Sequence, residues 1–270
     1  ENLKVADKFY TEAETSLLQV SEQLASVRET IIYACNSTKD KATDLNILAE
    51  LNQESPGTAS LAAYLQRNAC RPVFANSDVK YFPTGEEKFA ELVKQLRKAE
   101  QFIFLEYFII DEGLMWGEIL EILAEKARKG VEVRVMYDGT CEFSLLPRNY
   151  PQKLKELGIN CKVFAPLTPF LSTHYNYRDH RKIVVIDGKA AFTGGVNLAD
   201  EYINEIERFG HWKDTAIMVR GEAVRSFTML FLQMWNITEY KPDFGVYVDQ
   251  PGGMIPEAKG YVIPYGDCPL

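Results

Sequence analysis

Apolar positions along the chain change their period as the sequence proceeds, and each change marks a different kind of structure. Leu17, Leu18, Val20, Leu24, Val27, Ile31 and Ile32 recur at helical spacing and predict one amphipathic helix before Asn36. Helical text continues through residues 45–51 and 61–65, with Ser55-Pro56-Gly57 as the breaker between them. The polar faces of this region carry Glu rather than the Lys and Arg of a membrane-surface helix, which favours packing on a core; a helical cap, a membrane-surface element and a partner helix remain open readings.

After Val79-Lys80-Tyr81-Phe82 and Gly85 the pattern alternates between short apolar runs and amphipathic stretches, the signature of an α/β fold. Phe89, Leu92, Val93 and Leu96 mark a helix. Residues 102–110 form an almost continuous apolar run, as expected of a central strand covered on both faces. A helix over 116–128 ends at Lys129-Gly130, a strand follows over 131–137, a short helix over 152–157 ends at Gly158, and another strand covers 161–164. Pro166 and Pro169 break the rhythm in an apolar loop, Leu167, Phe170 and Leu171, which either dips into lipid or folds onto the core. Beyond it, a helix is expected from Asn197 through Ile206, a strand over 214–219, and a strongly apolar core helix over 222–236. The Pro- and Gly-rich residues 237–259 read as a linker.

The chemistry concentrates in one strand-turn-strand stretch. His180-Arg181-Lys182-Ile183-Val184-Val185-Ile186-Asp187 is followed, after the Asp187-Gly188-Lys189 turn, by Gly194-Gly195-Val196-Asn197. Alternation along a strand puts His180 and Lys182 on one face, and the turn allows Asn197 to return beside them. A phosphate fits between a nucleophilic imidazole, a cation and an amide. No His/Cys/Asp/Glu cluster at metal-ligand spacing accompanies them, and imidazole can attack phosphorus without one. Glu106 and Tyr107 interrupt the apolar run near its end, a usual place for ligands in open α/β sheets.

His180, Lys182, Asp187, Gly194, Gly195 and Asn197 resemble the His-x-Lys-x4-Asp signature of the phospholipase D superfamily. Asn176-Tyr177-Arg178-Asp179-His180-Arg181-Lys182, Gly195-Val196-Asn197-Leu198-Ala199-Asp200-Glu201-Tyr202 and Trp212-Lys213-Asp214-Thr215 narrow the resemblance to its bacterial cardiolipin synthase branch, from about Val73 onward. The resemblance implies a phospholipase D-like sheet flanked by helices on both faces, with residues 1–70 as an N-terminal helical region, 71–236 as the first repeat, and 237–270 as linker and start of a second repeat. It also implies the reaction: a phosphatidyl group passes from one phosphatidylglycerol to another through a phosphohistidine intermediate, with release of glycerol.

By the same resemblance His180 is the nucleophile or its acid partner, Lys182 and Asn197 bind phosphate oxygens, and Asp214 accepts a hydrogen bond from the catalytic ring. Asp187 ends a strand at a turn, which favours a structural role over direct catalysis. Gly195 stands where many superfamily members have Ser. Gly194, Gly195, Glu106, Tyr107 and Arg178 complete the candidate substrate-binding set. Family members pair two such motifs, and of His174, His180 and His211 only His180 carries the full His-x-Lys-x4-Asp spacing; His211 has Lys213 two residues on but Met218 where the Asp would stand. The second motif is therefore expected from a C-terminal half or a second chain, and both ends of the sequence read as those of a fragment. Open alternatives are a homodimeric phosphodiesterase or nuclease, and a headgroup-binding half-domain without turnover.

At 270 residues with 46% hydrophobic content, the chain can bury a substantial core. Its formal charge of −8 argues against a nucleic-acid partner and a polybasic membrane anchor. Arg178, His180, Arg181 and Lys182 against Asp179 alone make a local positive site suited to an anionic phospholipid at a membrane surface. No cofactor is implied. No apolar run is long enough to span a bilayer. The five scattered cysteines read as reduced thiols, so the expected place of action is the cytoplasmic face of a bacterial cell membrane, with the fragment itself soluble.

Overall fold

The computed structural model describes residues 41–69, 72–166, 178–239, 244–248, 255, 258 and 260–265. The expected first helix, the apolar loop around Phe170 and Leu171, and His174 lie outside them. The chain divides into two compact units, residues 1–72 with 232–244, and residues 73–231 with 245–270.

In the first unit α1 (Lys41–Glu54) and α2 (Pro56–Ala69) are separated by Ser55 alone. The break is narrower than Ser55-Pro56-Gly57 implies, because Pro at the first helical position loses no hydrogen bond and starts α2 with its φ already set. Ile47 and Leu51 of α1 and Ala59, Ala62 and Leu65 of α2 are buried.

The second unit is built on a mixed seven-stranded sheet in the order β1-β7-β6-β5-β2-β3-β4. Its strands are β1 (Ser77–Phe82), β2 (Phe102–Tyr107), β3 (Glu132–Asp138), β4 (Asn160–Phe164), β5 (Ile183–Ile186), β6 (Ala190–Gly194) and β7 (Ala216–Gly221). β2, β3 and β4 are parallel, linked by α4 (Leu114–Arg128) and by α5 (Cys141–Ser144) with α6 (Tyr150–Glu156). β5 then turns back antiparallel on the other side of β2, and β6, β7 and β1 continue antiparallel. β2 therefore lies at the sheet centre with all six residues buried, as its apolar run predicts.

Alternation along β2 divides the core. Ile103, Leu105 and Tyr107 join α3 (Gly85–Leu96), α4 and α6 through Leu92, Leu96, Trp116, Ile119 and Leu154. Phe102 and Phe104 face the other way. There Phe231 of α7 (Val224–Trp235) stacks on Phe104 at 4.7 Å, and Tyr247 of α8 (Gly245–Val248) meets both rings edge-on. Part of the expected linker thus packs on the sheet, and Val262 forms a β-bridge with Phe74.

The β5–β6 hairpin is the element that places the motif. Asp187 and Gly188 take φ of 52° and 63°, and Lys189 N–H donates to the Ile186 carbonyl at 2.9 Å, the geometry of a two-residue primed turn. The Asp187 carboxylate accepts from the backbone N–H groups of Glu100, Gln101 and Phe102 at 2.9, 2.8 and 2.9 Å. It thereby locks the start of β2 to the end of β5, roughly four residues or about 13 Å of strand away from the His180 end.

Asp187→Ala removes the acceptor of three backbone donors at once. Urea unfolding is expected to show a loss of about 2–4 kcal/mol; a change under about 0.5 kcal/mol would contradict this anchoring role.

Candidate active site

His180 and Lys182 sit just before β5, at the sheet edge where β2, β3 and β4 end. Residues 178–182 form no ladder of their own. The exposed His180 imidazole rests on Phe108, ring centroids 4.8 Å apart, and the Lys182 Nζ lies 5.4 Å from the same ring. Phe108, the first residue beyond β2, is the apolar floor that gathers both motif residues. Lys182 Nζ donates to the His180 carbonyl at 2.6 Å, so the two motif residues are also joined through the backbone.

Burial lowers the pKa of both groups. For His180 the first cause is loss of solvent, followed by the Lys182 charge, with Asp179 and Asp138 opposing; the imidazole is driven towards its neutral, nucleophilic form. For Lys182 burial pulls the ammonium down to about 8, with Asp179 and Asp214 opposing. It is therefore charged at neutral pH and loses that charge as pH rises past about 8.

Asn197 is buried with its Oδ1 accepting from Ile109 N–H at 3.1 Å and its Nδ2 donating to the Tyr202 hydroxyl at 2.8 Å, leaving one amide N–H. It joins the segment after β2 to the segment after β6, reinforced by Leu198 N–H to the Ile109 carbonyl and Asp111 N–H to the Leu198 carbonyl. This corrects the helix expected over 197–206: the chain stays extended at Asn197 and makes only a short 3-10 turn at Asp200–Ile203. The helix is pre-empted by long-range bonds. Asp200 accepts from Leu114 and Met115 N–H at the start of α4, and left-handed Asn204 (φ 56°) closes the turn by bonding both backbone groups of Trp212.

Gly194 and Gly195 make room. Gly194 (φ 151°) brings β6 against β7, where a Cβ would lie 2.4 Å from the Thr215 carbonyl oxygen. A Cβ on Gly195 would fall 2.0 Å from Asp214 Oδ1. The missing side chain at 195 is what admits the Asp214 carboxylate. Asp214 accepts from Thr215 N–H and acts electrostatically on Lys182; among the described residues no hydrogen bond joins it to His180.

The remaining candidates separate. Arg178 binds Asp138 at 3.3 Å and the Ala165 carbonyl at 3.0 Å. Glu106 is fully buried with its carboxyl against the Arg181 guanidinium, whereas Tyr107 points through the opposite face, its hydroxyl accepting from buried Lys88 at 2.9 Å. Burial raises the Tyr107 pKa and lowers Lys88 to about 7. Adjacent strand residues face opposite ways, so Glu106 and Tyr107 do not share one site. Residues the sequence reading passed over are Phe108 and Asp138. Asp138, a fully buried carboxylate at the end of β3 after the apolar Val135-Met136-Tyr137, accepts from Thr140 N–H, Asp179 N–H and Arg178. A charged residue inside a buried strand was the available signal.

Cys141 donates to the Phe108 carbonyl at 3.2 Å, and burial pushes its thiol up to about 11; both it and Cys161 are free thiols. Among the described residues no group of three or more His, Cys, Asp and Glu is placed to hold a metal ion.

Residues 92–235, just over half of the chain, match the family described as cardiolipin synthase, PLD-like domain. The chain belongs to this phospholipase D-like family. It is 60% identical over 227 residues to an uncharacterized protein of Streptococcus mutans serotype c (strain ATCC 700610 / UA159), covering 84% of this chain and 49% of that one. It is 42% identical over 166 residues to a cardiolipin synthase of Alkalihalophilus pseudofirmus (strain ATCC BAA-2126 / JCM 17055 / OF4), covering 61% of this chain and 33% of that one. The match thus spans a third to a half of these relatives. Among solved structures, NucT from Helicobacter pylori aligns over 59% of this chain and 96% of its own at 15% identity, with a TM-score of 0.46.

Within this PLD-like domain, the Gly195–Asp214 contact yields a direct test. Gly195→Ala is expected to keep the fold within about 1 kcal/mol, because the Asp214 side chain can swing aside. Displacing that carboxylate removes a charge that holds the Lys182 proton, so NMR titration of the lysine should show Lys182 deprotonating at lower pH. An unchanged Lys182 titration would contradict the contact.

Proposed function

We propose that the chain carries the first motif of a phosphatidyltransferase that makes cardiolipin from two phosphatidylglycerol molecules. The observation that carries this reading is the exposed, neutral-leaning His180 imidazole held on Phe108 beside the Lys182 ammonium, in a chain of the cardiolipin synthase family. A ring nitrogen of His180 attacks the phosphorus of the first phosphatidylglycerol, a P–N bond forms, and the P–O bond to glycerol breaks. Glycerol leaves with a proton from an acid of the second motif, supplied from beyond this stretch or by a second chain. The hydroxyl of a second phosphatidylglycerol then attacks phosphorus; its proton returns to that group as the P–N bond breaks.

Negative charge grows on the nonbridging oxygens in both steps. Lys182 supplies a fixed cation there, and Asn197 its remaining amide N–H. Asp214 supports the Lys182 charge. The acidic balance of the chain, −8, disfavours nucleic acid as the substrate.

The proposed setting is a membrane surface on the cytoplasmic side, consistent with the free thiols of Cys141 and Cys161. No helix among the described residues is long and apolar enough to cross a membrane. The loops after β2, β3 and β6 all emerge at the His180 edge of the sheet. Those loops and the helix starts that follow them carry Phe143 and Phe209, 84% and 71% exposed, together with exposed Leu114 and Ile206. Glu142, Glu205 and Glu207 interleave with these side chains, so contact with lipid would come from apolar insertion rather than from attraction to anionic headgroups.

His180→Ala is expected to abolish phosphatidyl transfer in protein carrying both motifs, measured by mass spectrometry of the lipids formed from phosphatidylglycerol liposomes. The unsubstituted protein should lose rate as pH falls through the depressed His180 pKa, below the ordinary 6.5, and as it rises past about 8 where Lys182 discharges. Retained turnover in His180→Ala would remove the nucleophile assignment. For the rim, the double substitution Phe143→Ser and Phe209→Ser should cut liposome flotation about tenfold or more, with little salt dependence. Unchanged flotation would sink the apolar contact.

A further inference from the structure

Residues 178–182 lack strand partners, yet their backbone is tied at several points beneath the exposed imidazole. Asp179 N–H donates to Asp138 Oδ2 at 3.1 Å, and Arg178 reaches Asp138 Oδ1 and the Ala165 carbonyl. Asp179 Oδ1 in turn accepts from both the backbone N–H and the Nε of Arg181, each at 3.2 Å. The Arg181 guanidinium reaches the Leu230 carbonyl on α7 at 3.4 Å and lies against the Glu106 carboxyl on β2. Glu106 and Asp138 are 0% exposed and Asp179 is 3% exposed. None of these three carboxyl groups is open to solvent.

We propose that Glu106, Asp138, Asp179 and Arg181 are positioning residues, a buried and charge-balanced clamp that fixes the backbone on both sides of His180 and holds its imidazole at the sheet edge. The clamp rests on the assignment of His180 as the nucleophile, but its own properties can be read without turnover.

Charge counting specifies its protonation. Within the clamp's own hydrogen bonds and ion pairs, three carboxyl groups, Glu106, Asp138 and Asp179, meet two guanidinium groups, Arg178 and Arg181; the Lys182 ammonium feels the Asp179 charge but is bonded to the His180 carbonyl instead. Leaving a net negative charge in a solvent-free cluster is costly, and the least expensive remedy is a proton on one carboxyl. Glu106 is that group. Burial pushes its pKa well above the ordinary carboxylate value, Asp179 pushes it further, and Arg181 only partly opposes them. With Glu106 neutral, Asp138 and Asp179 balance Arg178 and Arg181. Those two carboxylates, one from β3 and one from its own segment, also raise the basicity of the His180 ring, while the Lys182 charge lowers it. The clamp therefore sets both the position of the ring and part of its basicity.

The test uses 13C-labelled glutamate in the chain as it stands, with the Glu106 carboxyl resonance assigned by its loss in Glu106→Gln. The expected result is a protonated shift that persists through pH 7; an ordinary carboxylate titration below pH 5 would overturn the charge balance. Glu106→Gln mimics the neutral form and should leave both the melting temperature and the NMR titration of the His180 ring nearly unchanged. Asp179→Asn removes a carboxylate that raises the ring's basicity and weakens the acceptor of two Arg181 bonds. It should lower the His180 pKa by about half a unit or more, which a purely structural role would not produce. A folded Asp179→Asn variant with an unshifted His180, or a Glu106→Gln variant as unstable as Glu106→Ala, would overturn the proposal. If Asp179→Asn does not fold, the Glu106 carbon shift and the Glu106→Gln comparison still decide it. Loss of turnover in His180→Ala reports on the nucleophile alone, so the two readings fail separately.

Discussion

The constraint on which the site depends is that His180 lies on backbone with no strand to pair with. Ile183 is the first residue of β5 held by ladder bonds, and His180 precedes it by three. Backbone left unpaired beside a buried core costs free energy unless side chains supply the partners. Asp138 and Asp179 supply them, one from the end of β3 and one from within the segment itself. Each carboxylate reaches a group that a strand ladder would otherwise have bonded, and each does so in a place closed to water. Phe108 completes the support, with its ring under His180 and its carbonyl bonded by Cys141.

A second set of side chains sets the frame around that segment. Asp187 ties the far end of β5 to the start of β2 through three backbone donors. Asn197 ties the chain after β6 to the chain after β2, and Gly194 and Gly195 allow β6, β7 and Asp214 to approach closely. Of the six motif residues, His180 is exposed and Lys182 is buried behind it on Phe108, while Asp187, Asn197 and the two glycines hold backbone in place. The motif spacing therefore encodes a scaffold as much as a reactive group.

Much of this was legible in the sequence because it is local. The continuous apolar run of β2, the Asp-Gly hairpin turn, the helices of the α/β unit and the His-x-Lys spacing each follow from neighbours a few residues apart. What was hidden depends on partners distant in the chain. The Asp200 carboxylate caps α4 from 85 and 86 residues away, which suppresses the helix expected after Asn197. Asp138 meets Arg178 and Asp179 across 40 and 41 residues, so a charge at the end of β3 carried no visible purpose. Glu106 and Tyr107 read as one pair because both interrupt an apolar run; the pleat sends Glu106 to Arg181 and Tyr107 to Lys88 on the opposite face.

The central claim is that phosphorus becomes bonded to His180. Protein that turns over phosphatidylglycerol should be quenched with alkali during steady state, digested, and its peptides analysed by mass spectrometry and 31P NMR for the phosphoramidate. The account predicts a phosphatidyl adduct on the peptide containing His180, present only while substrate remains. An adduct confined to another histidine, or undiminished turnover with His180 never modified, would contradict it.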